Sequence, residues 1–360
     1  MLSGVSWAGS VQDVPPAWDA LFAAAPAQSS RAWWAATERT ALPRGIGARY
    51  LLCTQGGAPA ALVPLASGLA RWTSLTTLYT TIYQPLLTAD ADAALVGQAM
   101  AASVRGAMVP GVMVPGVVVP GVVVLDALDA DWPPLTDFLA GARQGGLRAR
   151  RFRHFGNWYQ NVSAMDYAAY IASRGGRLRE TIRRRSAAAL RDPAVRLELV
   201  QESAAIPAAL AAYEAVYARS WKTPEPFADF NAALLPGLAA EGCLRMGLLW
   251  VGDRPAAAQY WTVRHGVATV LKLAHDEADH ARSFGTVLTA WMIRHLFEHD
   301  QLTVLDFGRG DDPYKREWVD CRRERIGVLL ARPGTLRGAA ALLRHDAGSL
   351  RRLLRGVLPG

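Results

Sequence analysis

The side chains best able to do chemistry in this 360-residue chain gather in its second half. His275, Asp276 and Glu277 follow the apolar run Leu271-Lys272-Leu273-Ala274, where an imidazole or a carboxylate can take a proton directly or through water. A second group, Asp306, Arg309, Asp311, Asp312, Tyr314 and Lys315, lies in and after the apolar stretch Thr303 to Phe307. Asp276 and Tyr314 are the candidate acid–base pair. A surface loop tied by ion pairs between Arg309 and the aspartates, with Tyr314 and Trp318 packing, accounts for the same residues. Between the two groups, Arg282-Ser283-Phe284-Gly285-Thr286 opens a segment in which Leu288, Met292 and Leu296 fall on one helical stripe. A helix starting there offers unpaired backbone N–H groups and the positive end of its dipole, which together suit a pyrophosphate. Gly285 lets the backbone approach such a group, Ser283 and Thr286 can donate, and Arg282 adds fixed charge; an ordinary capped helix is the plain alternative. Trp221 and Lys222, before the Thr223-Pro224 turn, are candidates to line an acceptor cleft, with Lys272 and Lys315 beside them; a packed aromatic and a solvated lysine are the plain alternative.

Other reaction classes lose ground. The sequence holds no G-x-S-x-G elbow, no H-E-x-x-H pair and no G-x-x-x-x-G-K-[ST] loop, so acyl-serine, zinc-hydrolase and P-loop readings have no support. The cysteines Cys53, Cys243 and Cys321 are far apart and lack CxxC spacing, which points to reduced, structural thiols and no metal.

The loop Arg282-Ser283-Phe284-Gly285-Thr286-Val287 resembles the Q/R-x-x-G-x-G/A pyrophosphate loop of GNAT acyltransferases, with Val287 standing where a small residue is usual. The wider stretch, LKLAHDE, then SFGTVLTAWMI, then LDFGRGDDPYKREW, is similar to the BioF2-like acetyltransferase family. That family is related to the FemAB peptidyltransferases and to CelD-type proteins found with bacterial envelope and polysaccharide genes. Residues 165 to 330 carry the likeness best. It implies an α+β fold of tandem GNAT-like domains, each a mostly antiparallel twisted sheet flanked by helices. It also implies acyl transfer from acetyl-CoA or another acyl-CoA to an amine or hydroxyl acceptor, with Tyr314 protonating the leaving thiolate. Two alternatives stay open: a FemAB-like transferase that takes its donor from aminoacyl-tRNA, and a non-catalytic scaffold in polysaccharide assembly.

The elements that must position these residues can be read from pattern. The length suits two domains, because single cores stop growing above ~250 residues. Residues 1–160 read as a degenerate GNAT-like domain: helical spacing from Trp18 to Leu42 with Ser29 or Ser30 as a cap before Trp33 and Trp34, a hairpin around Gln55-Gly56-Gly57, and one or two strands over Leu75 to Leu87. Met108 to Val122 is three tandem units, MVPGV, MVPGV and VVPGV, read as an expanded connection before the strand Val122 to Leu125. Residues 161–330 read as the acetyltransferase domain. A basic helix runs from Arg177 to Arg191, and two helices follow over Ala208 to Lys222 and Phe227 to Ala240. Then come strands over Leu244 to Val251, Ala256 to Arg264 and Val267 to Ala274, the helix Val287 to Glu298, and the strand Thr303 to Phe307.

The net charge of +8 is clustered: Arg174, Arg177, Arg179, Arg183, Arg184, Arg185 and Arg191 form one stretch, and residues 331–360 form a basic amphipathic tail. The first stretch suits a solvated face, an anionic acceptor such as a lipid-linked sugar or, under the alternative, tRNA. The tail suits a helix docked on the body or peripheral contact with an anionic membrane. No run is long and apolar enough for a membrane span and no signal peptide opens the chain, so a cytoplasmic protein acting on a small-molecule or lipid-linked sugar or amino acceptor is expected.

Overall fold

The computed structural model describes residues 2–104 and 121–357, and the chain divides into two compact units. The first comprises residues 1–38, 42–155 and 324–360; the second comprises 39–41 and 156–323. The VPGV units lie outside the described residues as far as Pro120. The boundary read near residue 160 falls at 155/156, and the segment read as a separate tail, 331–360, is part of the first unit.

In the first unit β1 (Leu2–Ala8), β2 (Gly47–Gln55), β3 (Ala58–Ser67), β4 (Trp72–Ser74), the two-residue β5 (Leu86–Leu87) and β6 (Val122–Asp129) build one sheet, with β5 pairing β3. Its pairings are antiparallel except β4 with β6. The β2–β3 turn is made by Gly56 and Gly57, both in the left-handed region (φ 59° and 83°), the conformation a two-residue hairpin needs. The helical stretch forms two helices, α1 (Asp19–Ala24) and α2 (Arg31–Thr40), because Ala25 is extended before Pro26; the cap expected at Ser29 or Ser30 is Ser30, whose Oγ accepts from Trp33 N at 3.2 Å. α3 (Ala93–Ser103) and α4 (Leu135–Gln144) cross so closely that a Cβ on Gly97 or Gly141 would sit 2.0 or 1.8 Å from a facing carbonyl oxygen.

The second unit begins in β7 (Arg148–Asn161). It continues through α5 (Tyr167–Ala172), α6 (Gly176–Arg191), β8 (Val195–Val200), α7 (Ile206–Ala218), α8 (Phe230–Ala240), β9 (Leu244–Val251), β10 (Arg254–Arg264) and β11 (Val267–His275). Then come α9 (Phe284–His299), β12 (Val304–Arg309) and the single turn α10 (Lys315–Trp318). Its strand order is β7-β12-β11-β10-β9-β8, antiparallel but for β11 with β12. Side chains of β10 alternate between two helix layers. Gln259 reaches α9 through the Gly285 carbonyl and Thr289 Oγ1 (3.2 and 2.6 Å), while Tyr260 hydrogen-bonds Asn231 of α8 at 2.6 Å and its ring lies 5.5 Å from that of Tyr213 in α7. Phe284, Val287, Leu288, Met292 and Ile293 bury the inner face of α9, and Gly247 lets that helix cross β9, since a Cβ there would meet Met292 Sδ at 2.5 Å.

After the second unit the chain forms β13 (Cys321–Ala331), whose Arg325 to Ala331 pair β6 in the first unit, and α11 (Leu336–Val357). Leu342 packs with Val122, Leu329 and Ala331, whereas Leu336, Leu343 and Leu350 are exposed. Both units are α+β, with mostly antiparallel sheets flanked by helices, and among the described residues no helix is long and apolar enough to cross a membrane.

Candidate functional site

Two irregularities in the second unit open its sheet at one place. β11 and β12 are parallel and pair only at Val267–Thr269 with Val304–Asp306, so residues 270–275 run on beyond the ladder. In the same stretch Val270 faces Trp261 and Lys272 faces Tyr260, which makes Leu271 the extra residue of a β-bulge. β12 is bent in turn: Asp306 Oδ1 accepts from Gly308 N and from Asn157 Nδ2, both at 2.7 Å, and Arg323 holds the other oxygen at 2.8 Å. Asp306 thus shapes the strand.

The loop that follows β11 is fixed by carboxylate–arginine pairs. Asp276 Oδ1 caps a 3-10 turn over Glu277–Arg282 by accepting from Ala278 N at 3.0 Å. Its Oδ2 accepts from Arg219 at 2.6 Å and Arg254 at 2.7 Å, and Arg254 also reaches Asp279 at 2.7 Å. Burial of Asp276 pushes its carboxyl up, but the bonds from Arg219 and Ala278 and the two guanidinium charges outweigh that and hold it below the usual range. A carboxylate so engaged is a poor proton acceptor; in this geometry Asp276 sets the loop. Arg282 pairs with Asp192 at 2.5 Å and lies over the Phe284 ring at 4.3 Å.

Ser283 then takes the left-handed conformation (φ 55°, ψ 39°), unusual for a residue with a side chain, and turns the chain into α9 without a side-chain cap. Its carbonyl accepts from Val287 N at 3.0 Å, so the N–H groups of Phe284, Gly285 and Thr286 precede the first helical bond. Phe284 is buried in the core and offers only its backbone; Val287, where the GNAT pattern has a small residue, also turns its side chain into the core, away from the loop. Gly285 is required by packing: a Cβ would lie 2.9 Å from His275 Nδ1. Burial, with His280 and Lys222 nearby, lowers the His275 pKa and keeps the ring neutral. Trp221, 51% exposed, packs on His275 with ring centroids 4.4 Å apart.

A profile of the acetyltransferase (GNAT) domain matches residues 176–316, a span that contains the opened strands, the loop and α9. Within the second unit, that span is similar to the GNAT domain. Solved structures share the fold over most of the chain. FemX matches with a TM-score of 0.58 at 12% identity, covering 91% of this chain and 96% of that one. The C-terminal domain (DUF2156) of a lysylphosphatidylglycerol synthetase candidate from Agrobacterium fabrum matches with a TM-score of 0.56 at 14% identity, covering 91% and 93%. At such identity the likeness is one of fold, and it extends to the first unit. No curated protein matches the chain by sequence.

The remaining predicted residues lie at the turn after α7, on β11 and just after β12. Lys272, 7% exposed, pairs with Glu225; Lys222 Nζ lies 5.7 Å from the Trp221 ring and 6.0 Å from that of Tyr217. Lys315, 3% exposed, donates to the carbonyls of Arg309 and Gly310 and pairs with Asp312 at 3.0 Å. Tyr314 sets its ring edge on Phe307, and burial together with Asp312 raises its phenol, which stays protonated through the neutral range. Sequence reading missed Glu225, Arg219 and Arg254 as site residues. The only hint of Glu225 was its place in the Thr223-Pro224-Glu225-Pro226 turn just after Lys222. In the basic helix α6 the arginines diverge: Arg174, before it, is buried on the Trp318 carbonyl and Asp320, while Arg177, Arg179 and Arg184 are exposed.

Proposed function

We propose that the second unit transfers an acyl group from acetyl-CoA or another acyl-CoA to an amine or hydroxyl of a small-molecule or lipid-linked sugar or amino acceptor. The observation that carries this reading is the uncapped start of α9, whose free N–H groups at Phe284 to Thr286 lie directly after the gap between β11 and β12. Those donors and the helix dipole suit the donor's pyrophosphate. The β11 edge at 270–275 offers backbone groups to an extended donor arm. A thioester is already activated, so the protein has only to orient the acceptor and steady the oxyanion. The acceptor nitrogen or oxygen bonds to the acyl carbon and gives up its proton to water, the C–S bond breaks, and the thiolate takes a proton from an acid that solvent then restores. Tyr314, protonated at neutral pH, is the acid for that last step, while Asp276 positions the loop.

The test is thermal unfolding with acetyl-CoA and CoA, since a ligand at 100 times its Kd stabilises the native state by about 2.7 kcal/mol. Both ligands raise the melting temperature of the wild type, and Gly285→Val, which drives a branched side chain against His275, loses the shift. An unchanged melting temperature in wild type sinks the CoA reading. The exposed arginines of α6 favour one second reading, an aminoacyl-tRNA donor, marked by tRNA binding that weakens steeply with salt.

A further inference from the structure

Of the 39 basic residues in this chain only three are lysines, Lys222, Lys272 and Lys315. Everywhere else positive charge is supplied by arginine, through α6, the donor loop and α11. The three lysines come from separate segments of the second unit, yet Lys272 reaches back to pair with Glu225, three residues after Lys222, and Lys315 lies within electrostatic range of Lys222. Lys222 feels Glu225, Asp312 and Lys315, and Lys272 feels Glu225 and Lys222. Where a chain otherwise uses only guanidinium, keeping three ammonium groups in one place marks a task for which arginine is unsuited. An ammonium is compact, turns its three donors freely, and can lose its proton; a guanidinium is a flat fork that cannot.

We propose that these three lysines form one basin that receives an anionic group, a phosphate or carboxylate carried by the acceptor, with Lys222 as the contact residue. The word acceptor rests on the acyl-transfer reading; the basin does not. Two carboxylates, Glu225 and Asp312, face three ammonium groups. Lys272 is taken by Glu225, and Lys315 by Asp312 and two carbonyls. Lys222 has no carboxylate within ion-pair distance among the described residues and lies instead over the Tyr217 and Trp221 rings. Burial penalises both Lys222 and Lys272 as cations by more than the nearby carboxylates relieve, a cost that an incoming anion offsets. Half-exposed Trp221 gives the basin an apolar wall. Through its contact with His275, which presses on Gly285, that wall sets the basin beside the donor loop.

Pyridoxal 5′-phosphate tests this on the full-length protein. Its aldehyde condenses with a lysine amine, releasing water, and borohydride fixes the imine, so peptide mapping reads three lysines and the N-terminus. The basin predicts about tenfold more incorporation at one of the three lysines than pyridoxal gives without its phosphate, the factor worth 1.4 kcal/mol. It also predicts that Lys222→Gln removes that preference while acetyl-CoA still raises the melting temperature. Protection by inorganic phosphate assigns a phosphorylated acceptor and protection by succinate a carboxylate. Equal labelling by the two aldehydes, protection by neither anion, or full preference in Lys222→Gln overturns the basin. Preferential labelling in a protein that acetyl-CoA does not stabilise keeps the basin and removes the acyl-transfer reading.

Discussion

Two regions of the second unit carry opposite kinds of charge arrangement. In the loop after β11 the guanidinium groups are matched by carboxylates: Arg219 and Arg254 converge on Asp276, Arg254 goes on to Asp279, and Arg282 meets Asp192. In the other region Lys272 takes Glu225 and Lys315 takes Asp312, while Lys222 has neither within ion-pair distance. The first arrangement is locked, because a guanidinium does not titrate and its fork fixes two partners at once. The second is under-neutralised and can change charge. The difference separates a part whose work is to hold the start of α9 still from a part suited to receive a ligand.

The largest effect that tests this division is at Asp276. Asp276→Ala removes the cap on Ala278 and leaves two guanidinium groups without their shared carboxylate. The expected loss is about 2–3 kcal/mol of unfolding free energy, combining a lost cap with two ion pairs to a buried carboxylate whose arginine partners are partly solvent-screened. Stabilisation by acetyl-CoA is lost with it. Denaturant unfolding with and without ligand reads both, and a variant that kept the full ligand shift would show that the lock does not hold the donor site.

The lysine region has a pH signature of intermediate size. Folded Lys272 is lowered from 10.5 to about 8, mainly by burial and with Lys222 adding to it, although Glu225 opposes the shift. Between about pH 8 and 10.5 the unfolded chain therefore binds more protons at this group than the folded protein, so its contribution to stability rises with pH across that window and is least favourable below it. The cross-strand neighbour Tyr260 and, from the facing turn, Lys222 and Glu225 are common to wild type and Lys272→Met. The unfolding free energy of wild type minus that of Lys272→Met should climb from pH 8 to 10. A flat difference would place Lys272 among ordinary paired cations and blur the contrast with the arginine loop.

How far this was legible in sequence differs between the two regions as well. Period-two runs with compact turns predicted β9, β10 and β11, and the stripe Leu288, Met292, Leu296 predicted α9, because each follows from local pattern. β13 escaped, since Arg322, Arg323, Glu324 and Arg325 hide its alternation, and its role depends on pairing β6 from far back in the chain. The helical spacing over Trp18 to Leu42 is interrupted at Pro26 by local proline geometry, while the cap that starts α2 was legible at Ser30. In the site, Gly285 and Ser283 were visible as a loop, but the engagement of Asp276 was not: its partners come from the end of α7 and the start of β10, which no spacing rule joins. The lysines are the reverse case. Their scarcity is plain in the composition, and only the fold brings them together.

The smallest effect is the most pointed one, because it puts the wrong cation into the locked region. Arg254 spans Asp276 and Asp279 with separate nitrogens at 2.7 Å each. A lysine at that position has one nitrogen on a flexible stem and cannot hold both carboxylates in the same geometry. With 42% of the Arg254 side chain exposed, solvent screens much of the pair, and Arg254→Lys should cost no more than about 1 kcal/mol in unfolding free energy. The loop it anchors leads into α9, however, so the acetyl-CoA shift should fall by more than stability does. Equal, small losses in both would mean that net charge alone suffices in this loop. A larger loss of ligand stabilisation, measured in the same unfolding titrations, would show that the fork itself is what arginine contributes there.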